Sequence, residues 1–235
     1  MAYFHGGGWV QGDLETHHGL CARLAERAGA IVVAVDYRLA PEHKFPAAVE
    51  DCLAAYRWLR SRAAELGGNA GRVGLAGDSA GGNLAAVVSQ LSAAAGDPVP
   101  TCQALIYPGL DFSLDTPSHR ELEDGHVIPR ERILWYMEQY LPNHADRLDP
   151  KAAPMRAKDL AGQPPTMVVT AGFDPLRDEG LAYAERLRAA GVDVVYREYP
   201  GQIHAFVSLT KAIPQGLACT MEIGDYLRSR LAGGP

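Results

Sequence analysis

Long apolar runs are missing from this chain: no stretch reaches the roughly 18 consecutive apolar residues that a membrane-spanning helix needs. The opening residues, MAYFHGGGWV, lack a basic segment followed by an apolar one, so no secretory signal is expected and the default location is the cytoplasm. Cysteine is sparse. Cys21, Cys52, Cys102 and Cys219 form no Cys-x-x-Cys pair and sit in apolar surroundings, which predicts buried thiols rather than a disulfide framework or a metal centre. Basic residues are outnumbered, 22 Lys and Arg against 28 Asp and Glu, giving a formal charge of −6. With no Lys/Arg cluster, the chain has no electrostatic reason to seek nucleic acid or anionic lipid. Internal repeats and low-complexity linkers are also lacking.

What is there suits one globular unit. The 235 residues are 47% hydrophobic, enough for a single sizeable core. Strand-like runs at 2–4, 31–35, 72–76, 103–107, 166–171 and 192–199 alternate with helical patterns at 16–29, 46–66, 83–95, 178–190 and 214–231. The run Ile31-Val32-Val33-Ala34-Val35 suits a strand buried on both faces. Such alternation predicts an α/β fold with a mainly parallel sheet covered by helices on both faces, and one domain over 1–235. Residues 111–160 break the rhythm with charges, prolines and a helical patch around Ile133–Met137; they read as a helical insertion over the active site. In such sheets ligands gather where strands end.

Four strand ends carry chemistry. Gly77-Asp78-Ser79-Ala80-Gly81 lies between a strand and a helix, a sharp turn that exposes a strained serine hydroxyl beside free helix N–H groups. His5-Gly6-Gly7-Gly8-Trp9 follows the first strand, and its glycines let backbone N–H groups approach an oxyanion together with that of Ala80. His5 is read as an organiser of this loop. Asp174 ends the strand Met167–Phe173, with Pro175 closing it; Asp178 and Glu179 are rival carboxylates, but the first turn of a helix favours acids without any catalysis. His204 follows the last strand, completing the chain order Ser, Asp, His. The other histidines, 17, 18, 43, 119, 126 and 144, fall on presumed helices or in the insertion.

Taken together, His-Gly-Gly-Gly at 5–8, Tyr-Arg-Leu-Ala-Pro-Glu-His at 37–43, Gly-Asp-Ser-Ala-Gly-Gly at 77–82, Asp-Pro-Leu-Arg-Asp-Glu at 174–179 and Pro-Gly-x-Ile-His at 200–204 resemble the hormone-sensitive-lipase-like esterases of the α/β-hydrolase fold. The resemblance implies a carboxylic ester hydrolase for short acyl chains that needs no cofactor or metal. It also implies Ser79 as nucleophile, His204 as base, Asp174 as its orienting acid, and the N–H groups of Gly7, Gly8 and Ala80 as oxyanion donors. Phe4, Trp9 and Phe206 adjoin these loops and are expected to touch the acyl group. Alternatives within the fold are an amidase or a deacetylase, or a non-catalytic or truncated member. The family usually carries outer strands and cap helices ahead of the glycine loop, and these are not in this sequence. The expectation is therefore a sheet edge at 31–35, open to a homodimer or another partner. Ala205 departs from the glycine that usually follows the histidine.

Overall fold

The computed structural model describes residues 1–124 and 126–232. Its centre is a parallel six-stranded sheet: β1 (Ala2–Phe4), β2 (Val33–Val35), β3 (Leu75–Asp78), β4 (Gln103–Ile106), β5 (Thr166–Phe173) and β6 (Val194–Ile203), in the spatial order β2-β1-β3-β4-β5-β6. The helices are α1 (Leu14–Ala28), α2 (Ala47–Arg62), α3 (Ala80–Ala95), α4 (Pro117–Glu121), α5 (Arg130–Tyr140), α6 (Arg177–Ala189) and α7 (Pro214–Leu231). Two hydrophobic clusters lie on the two faces of the sheet. One joins α2, α3 and α6 through residues such as Tyr56, Leu84 and Leu187; the other joins α1 and α7 through Leu24, Ile223 and Leu227. Burial of those apolar surfaces, at about 25 cal/mol per Å², is the main force holding the layers together. No helix among the described residues is long and apolar enough to cross a membrane.

Local signals explain the helix ends. Asp13 caps α1 by accepting from Thr16 N, while Thr16 Oγ1 accepts from Asp13 N in return. Gly29 stops the same helix in a left-handed conformation, φ 61°. Buried Leu20, Cys21, Leu24 and Ala28 form the inward stripe. All four cysteines are buried and unpaired.

Strand bounds differ from the sequence expectation: β3 is Leu75–Asp78 rather than 72–76 and β5 runs on to Phe173, and the two edge strands differ for reasons of position. The run 31–35 shrinks to Val33–Val35, half-buried rather than covered on both faces, and Ile31 is exposed. The reason is its position: β2 pairs only with β1 and ends the sheet. The last strand runs past Pro200 and Gly201 to Ile203 instead of stopping at 199. As the opposite edge strand, β6 tolerates a proline that has no N–H to give. A register irregularity between Ala171 and Phe173 absorbs the misfit, and Gly172 is required there because a Cβ would collide with Pro200 O.

Candidate active site

Register decides which distant residues become neighbours. Phe173 of β5 is paired with Ile203 of β6, so the residues that follow, Asp174 and His204, leave adjacent parallel strands side by side. His204 Nδ1 lies 2.7 Å from Asp174 Oδ2. The other carboxylate oxygen accepts from Leu176 N at 2.9 Å, which fixes the carboxylate plane. Both side chains are buried. On the far side of the ring, His204 Nε2 is 2.9 Å from Ser79 Oγ.

Ser79 occupies the turn between β3 and α3 with φ 54° and ψ −118°, a backbone conformation unfavourable for any residue with a Cβ. The surrounding glycines make it attainable. A Cβ on Gly77 would strike Gly81 O, and one on Gly81 would strike Phe4 O. Ser79 N donates to Ile106 O at 2.8 Å, pinning the elbow to β4.

The glycine loop sits beside this elbow because Phe4 is in register with Gly77. Gly7 (φ +121°) and Gly8 (φ +62°) use conformations that side chains resist. Gly7 O accepts from Val10 N and Gln11 N, closing the loop on itself. The N–H groups of Gly7, Gly8 and Ala80 donate to no other group among the described residues. His5 stacks on Tyr37, ring centroids 4.3 Å apart, and the Tyr37 hydroxyl donates to His5 O at 2.7 Å. That contact fits the organising part assigned to His5.

A second carboxylate supports the same loop. Asp78 Oδ1 accepts from Gly6 N at 3.0 Å and from the Tyr3 hydroxyl at 2.7 Å, and Oδ2 lies 3.3 Å from His17 Nε2. Burial alone would raise the Asp78 carboxyl; the His17 hydrogen bond and charge, with the Tyr3 hydroxyl, outweigh it and hold it below the usual carboxylate range. Burial likewise opposes the charged form of His17, but Asp78 wins and raises the imidazole.

Two cavities meet at Ser79. A small apolar one of about 50 Å³ is lined by Trp9, Phe112, Ile133, Tyr136, Met137 and Leu176. A wider groove of about 460 Å³ opens on the His204 side and is lined by Gln11, Thr16, His17 and Arg132 among others. A separate hollow of about 230 Å³ between Gly29, Leu66 and Leu231 includes neither Ser79 nor His204. Of the three aromatics expected at the acyl group, only Trp9 reaches the small cavity, stacked on Tyr140 at 4.5 Å. Phe4 and Phe206 are corrections to that expectation. Both are fully buried, Phe4 as the last residue of β1 and Phe206 packed on Tyr107 and Tyr199.

The rival carboxylates are placed elsewhere. Asp178 accepts from Ser118 N and pairs with Arg177. Glu179 is not a solvated first-turn acid: it is buried, accepts from Leu110 N at 2.5 Å, and lies 3.7 Å from the buried His119. Burial pushes the Glu179 carboxyl well up and the His119 imidazole down. His17, His119 and Tyr136 were not singled out from sequence. A signal for one of them, His17, existed, and the burial of Glu179 was legible in the same way. His17 precedes the buried stripe Leu20, Cys21 and Leu24 by helical spacing, and Glu179 shares one with Tyr183 and Leu187.

The elbow, the donor loop and the sheet around them define a class. The family described as alpha/beta hydrolase fold matches residues 1–208, and the chain belongs to it. Among curated proteins it is 43% identical to the carboxylic ester hydrolase LipN of Mycobacterium tuberculosis, over 99% of this chain and 63% of that protein. It is 43% identical to the carboxylesterase NlhH of the same species, over 94% of this chain and 70% of NlhH, and 40% identical to an ethyl acetate hydrolase of Pseudomonas putida. The chain thus spans about two thirds of the length of these relatives. A solved thermostable carboxylesterase from a metagenomic library superimposes with a TM-score of 0.96 at 44% identity, covering 99% of this chain and 80% of that one.

Proposed function

We propose that this chain is a serine carboxylic ester hydrolase of the hormone-sensitive-lipase-like group, with Ser79 as nucleophile, His204 as general base and acid, and Asp174 orienting the imidazole. The observation that carries the reading is the continuous relay of two short contacts, Ser79 Oγ to His204 Nε2 at 2.9 Å and His204 Nδ1 to Asp174 Oδ2 at 2.7 Å. The carboxylic ester hydrolases among its relatives support the same reading.

In the first half-reaction Ser79 Oγ attacks the ester carbonyl carbon while its proton passes to His204 Nε2. The tetrahedral oxyanion is met by the N–H groups of Gly7, Gly8 and Ala80; removing one such donor costs about 3–4 kcal/mol of transition-state stabilisation. His204 then gives the proton to the leaving alkoxide oxygen, and an alcohol departs. In the second half, water attacks the acyl-enzyme carbon, loses a proton to His204, and the acid leaves as Ser79 recovers its proton. Asp174 holds the Nδ1–H tautomer and stabilises the transient imidazolium. The leaving group must face His204, which assigns the wider groove to the alcohol and the small apolar cavity to the acyl chain. Residues 111–160 serve as the cover of the acyl side, since Phe112, Ile128, Ile133, Tyr136 and Met137 line it. No protein group in this scheme calls for a metal or cofactor.

The test is hydrolysis of a chromogenic short-chain ester. The wild-type chain is expected to turn it over, and Ser79→Ala to lose nearly all of that activity. Turnover by Ser79→Ala at the wild-type rate overturns the proposal.

A further inference from the structure

The boundary between the two cavities is built from a few shared residues. Ser79, Gly8, Ile128 and Tyr136 line both. Tyr136, on α5, is the aromatic member of that boundary. Its ring lies flat against Gly8: a Cβ added there would collide with Tyr136 Cγ, Cδ1 and Cδ2. The absence of a side chain at Gly8 therefore serves two ends. It allows the left-handed turn of the loop, and it gives the tyrosine ring a seat on the loop itself. The hydroxyl end is held as well, since Gln11 Nε2 donates to Tyr136 Oη at 2.9 Å. Trp135 meets the ring edge-on, centroids 5.3 Å apart.

We infer that Tyr136 is the specificity-determining residue for acyl length: its ring, seated on Gly8, walls the acyl cavity off from the alcohol groove. This inference rests on the esterase reading and on the assignment of the two cavities to the two sides of the ester. The acyl cavity, about 50 Å³, has room for a few heavy atoms, about three or four water-sized groups. A longer acyl chain must either displace the ring or run into the wider groove, where it competes with the leaving alcohol. Removing the ring joins 50 Å³ to a groove of about 460 Å³ and lifts that limit. The gain comes from apolar contact that each added methylene can then make, while short acyl groups lose a wall they had packed against.

The experiment is a series of 4-nitrophenyl esters from acetate to decanoate, with kcat/KM measured for wild type, Tyr136→Ala and Tyr136→Phe. In Tyr136→Ala the octanoate-to-acetate ratio of kcat/KM is expected to rise about tenfold or more. Tyr136→Phe keeps the ring on Gly8 and is expected to retain the wild-type ratio. An unchanged ratio in Tyr136→Ala overturns the inference, as does a Tyr136→Phe ratio that moves as far as that of the alanine variant. If either variant turns over too slowly for kinetics, the relative rates of Ser79 labelling by ethyl and octyl fluorophosphonates report the same ratio without deacylation. A wild-type chain that neither hydrolyses any ester of the series nor takes up either phosphonate overturns the esterase reading itself, an outcome distinct from an unchanged ratio in an active enzyme.

Discussion

The His204–Asp174 and His17–Asp78 pairs share their chemistry, each an imidazole against a buried carboxylate beside Ser79, and they differ in what the imidazole's second nitrogen faces. His204 turns Nε2 to the serine hydroxyl, 2.9 Å away. His17 spends Nε2 on Asp78 and turns Nδ1 to the Thr16 hydroxyl at 3.0 Å, within its own helix. Their carboxylates differ in the same way. Asp174 has one backbone donor and the histidine, and so acts on the ring. Asp78 gathers a tyrosine, a histidine and the N–H of Gly6, and so acts on the backbone of the donor loop. In the proposed mechanism the first pair moves a proton, whereas the second holds the backbone at Gly6. The lesson is that residue type does not set the role; the geometry of the second contact does.

The sharpest way to break this comparison is to remove the proton path. Ser79→Ala or His204→Ala is expected to lower kcat by about 10⁶, and Asp174→Asn by about 10⁴, because asparagine favours the wrong tautomer. Steady-state kinetics on a short-chain ester reads both, and a loss below tenfold for Asp174→Asn contradicts its assigned role.

Removing His17 should instead cost stability first. Breaking the pair leaves Asp78 buried with fewer partners, a loss of about 3 kcal/mol in denaturant unfolding. The signs follow from the shifts. The raised His17 contributes stability that is fully present below the ordinary histidine value and is lost as pH rises through its raised one. The lowered Asp78 contributes stability present above the ordinary carboxyl value and lost as pH falls through its lowered one. The pair therefore supports the fold most strongly between those limits, and His17→Ala should flatten the alkaline side of the stability profile. An unchanged profile argues against the pair.

Smaller effects sharpen the picture. Glu179 has its carboxyl raised by burial, so the folded state holds a proton that the unfolded chain has lost, and stability falls as pH rises from the ordinary carboxyl value towards the raised one. Glu179→Gln keeps an acceptor for Leu110 N without that penalty; thermal unfolding should show it equal to or more stable than wild type at neutral pH. Ala205 sits at φ 64°, where glycine is at ease and alanine is not. Ala205→Gly is expected to relieve strain of about 1 kcal/mol, seen as a small rise in the unfolding midpoint.

The sequence revealed most where backbone constraint and strand ends coincide. Gly77, Gly81, Gly7 and Gly8 are demanded by close approaches and positive φ, and such demands are visible in the residues themselves. Asp174 and His204 were legible because each ends a strand, although the continuation of β6 through Pro200 was not, since an edge strand relaxes the usual exclusion of proline. Contacts between distant surfaces were hidden. Tyr136 meets Gly8 and Gln11 from a segment more than a hundred residues away, and His17 finds Asp78 across 61 positions. Neither periodicity nor composition says which element packs on which. Phe4 and Phe206 illustrate the converse: sequence adjacency to a catalytic loop placed them at the substrate, but strand alternation and the 3-10 turn Phe206–Ser208 turned both into the core.

The central claim is that His204 activates Ser79, and covalent labelling tests it without assuming a substrate. Wild-type chain treated with a fluorophosphonate should gain one adduct, located by peptide mass spectrometry at Ser79, and His204→Ala should be labelled at least about a thousandfold more slowly. Labelling at another residue, or an equal rate in the His204→Ala variant, would contradict the account.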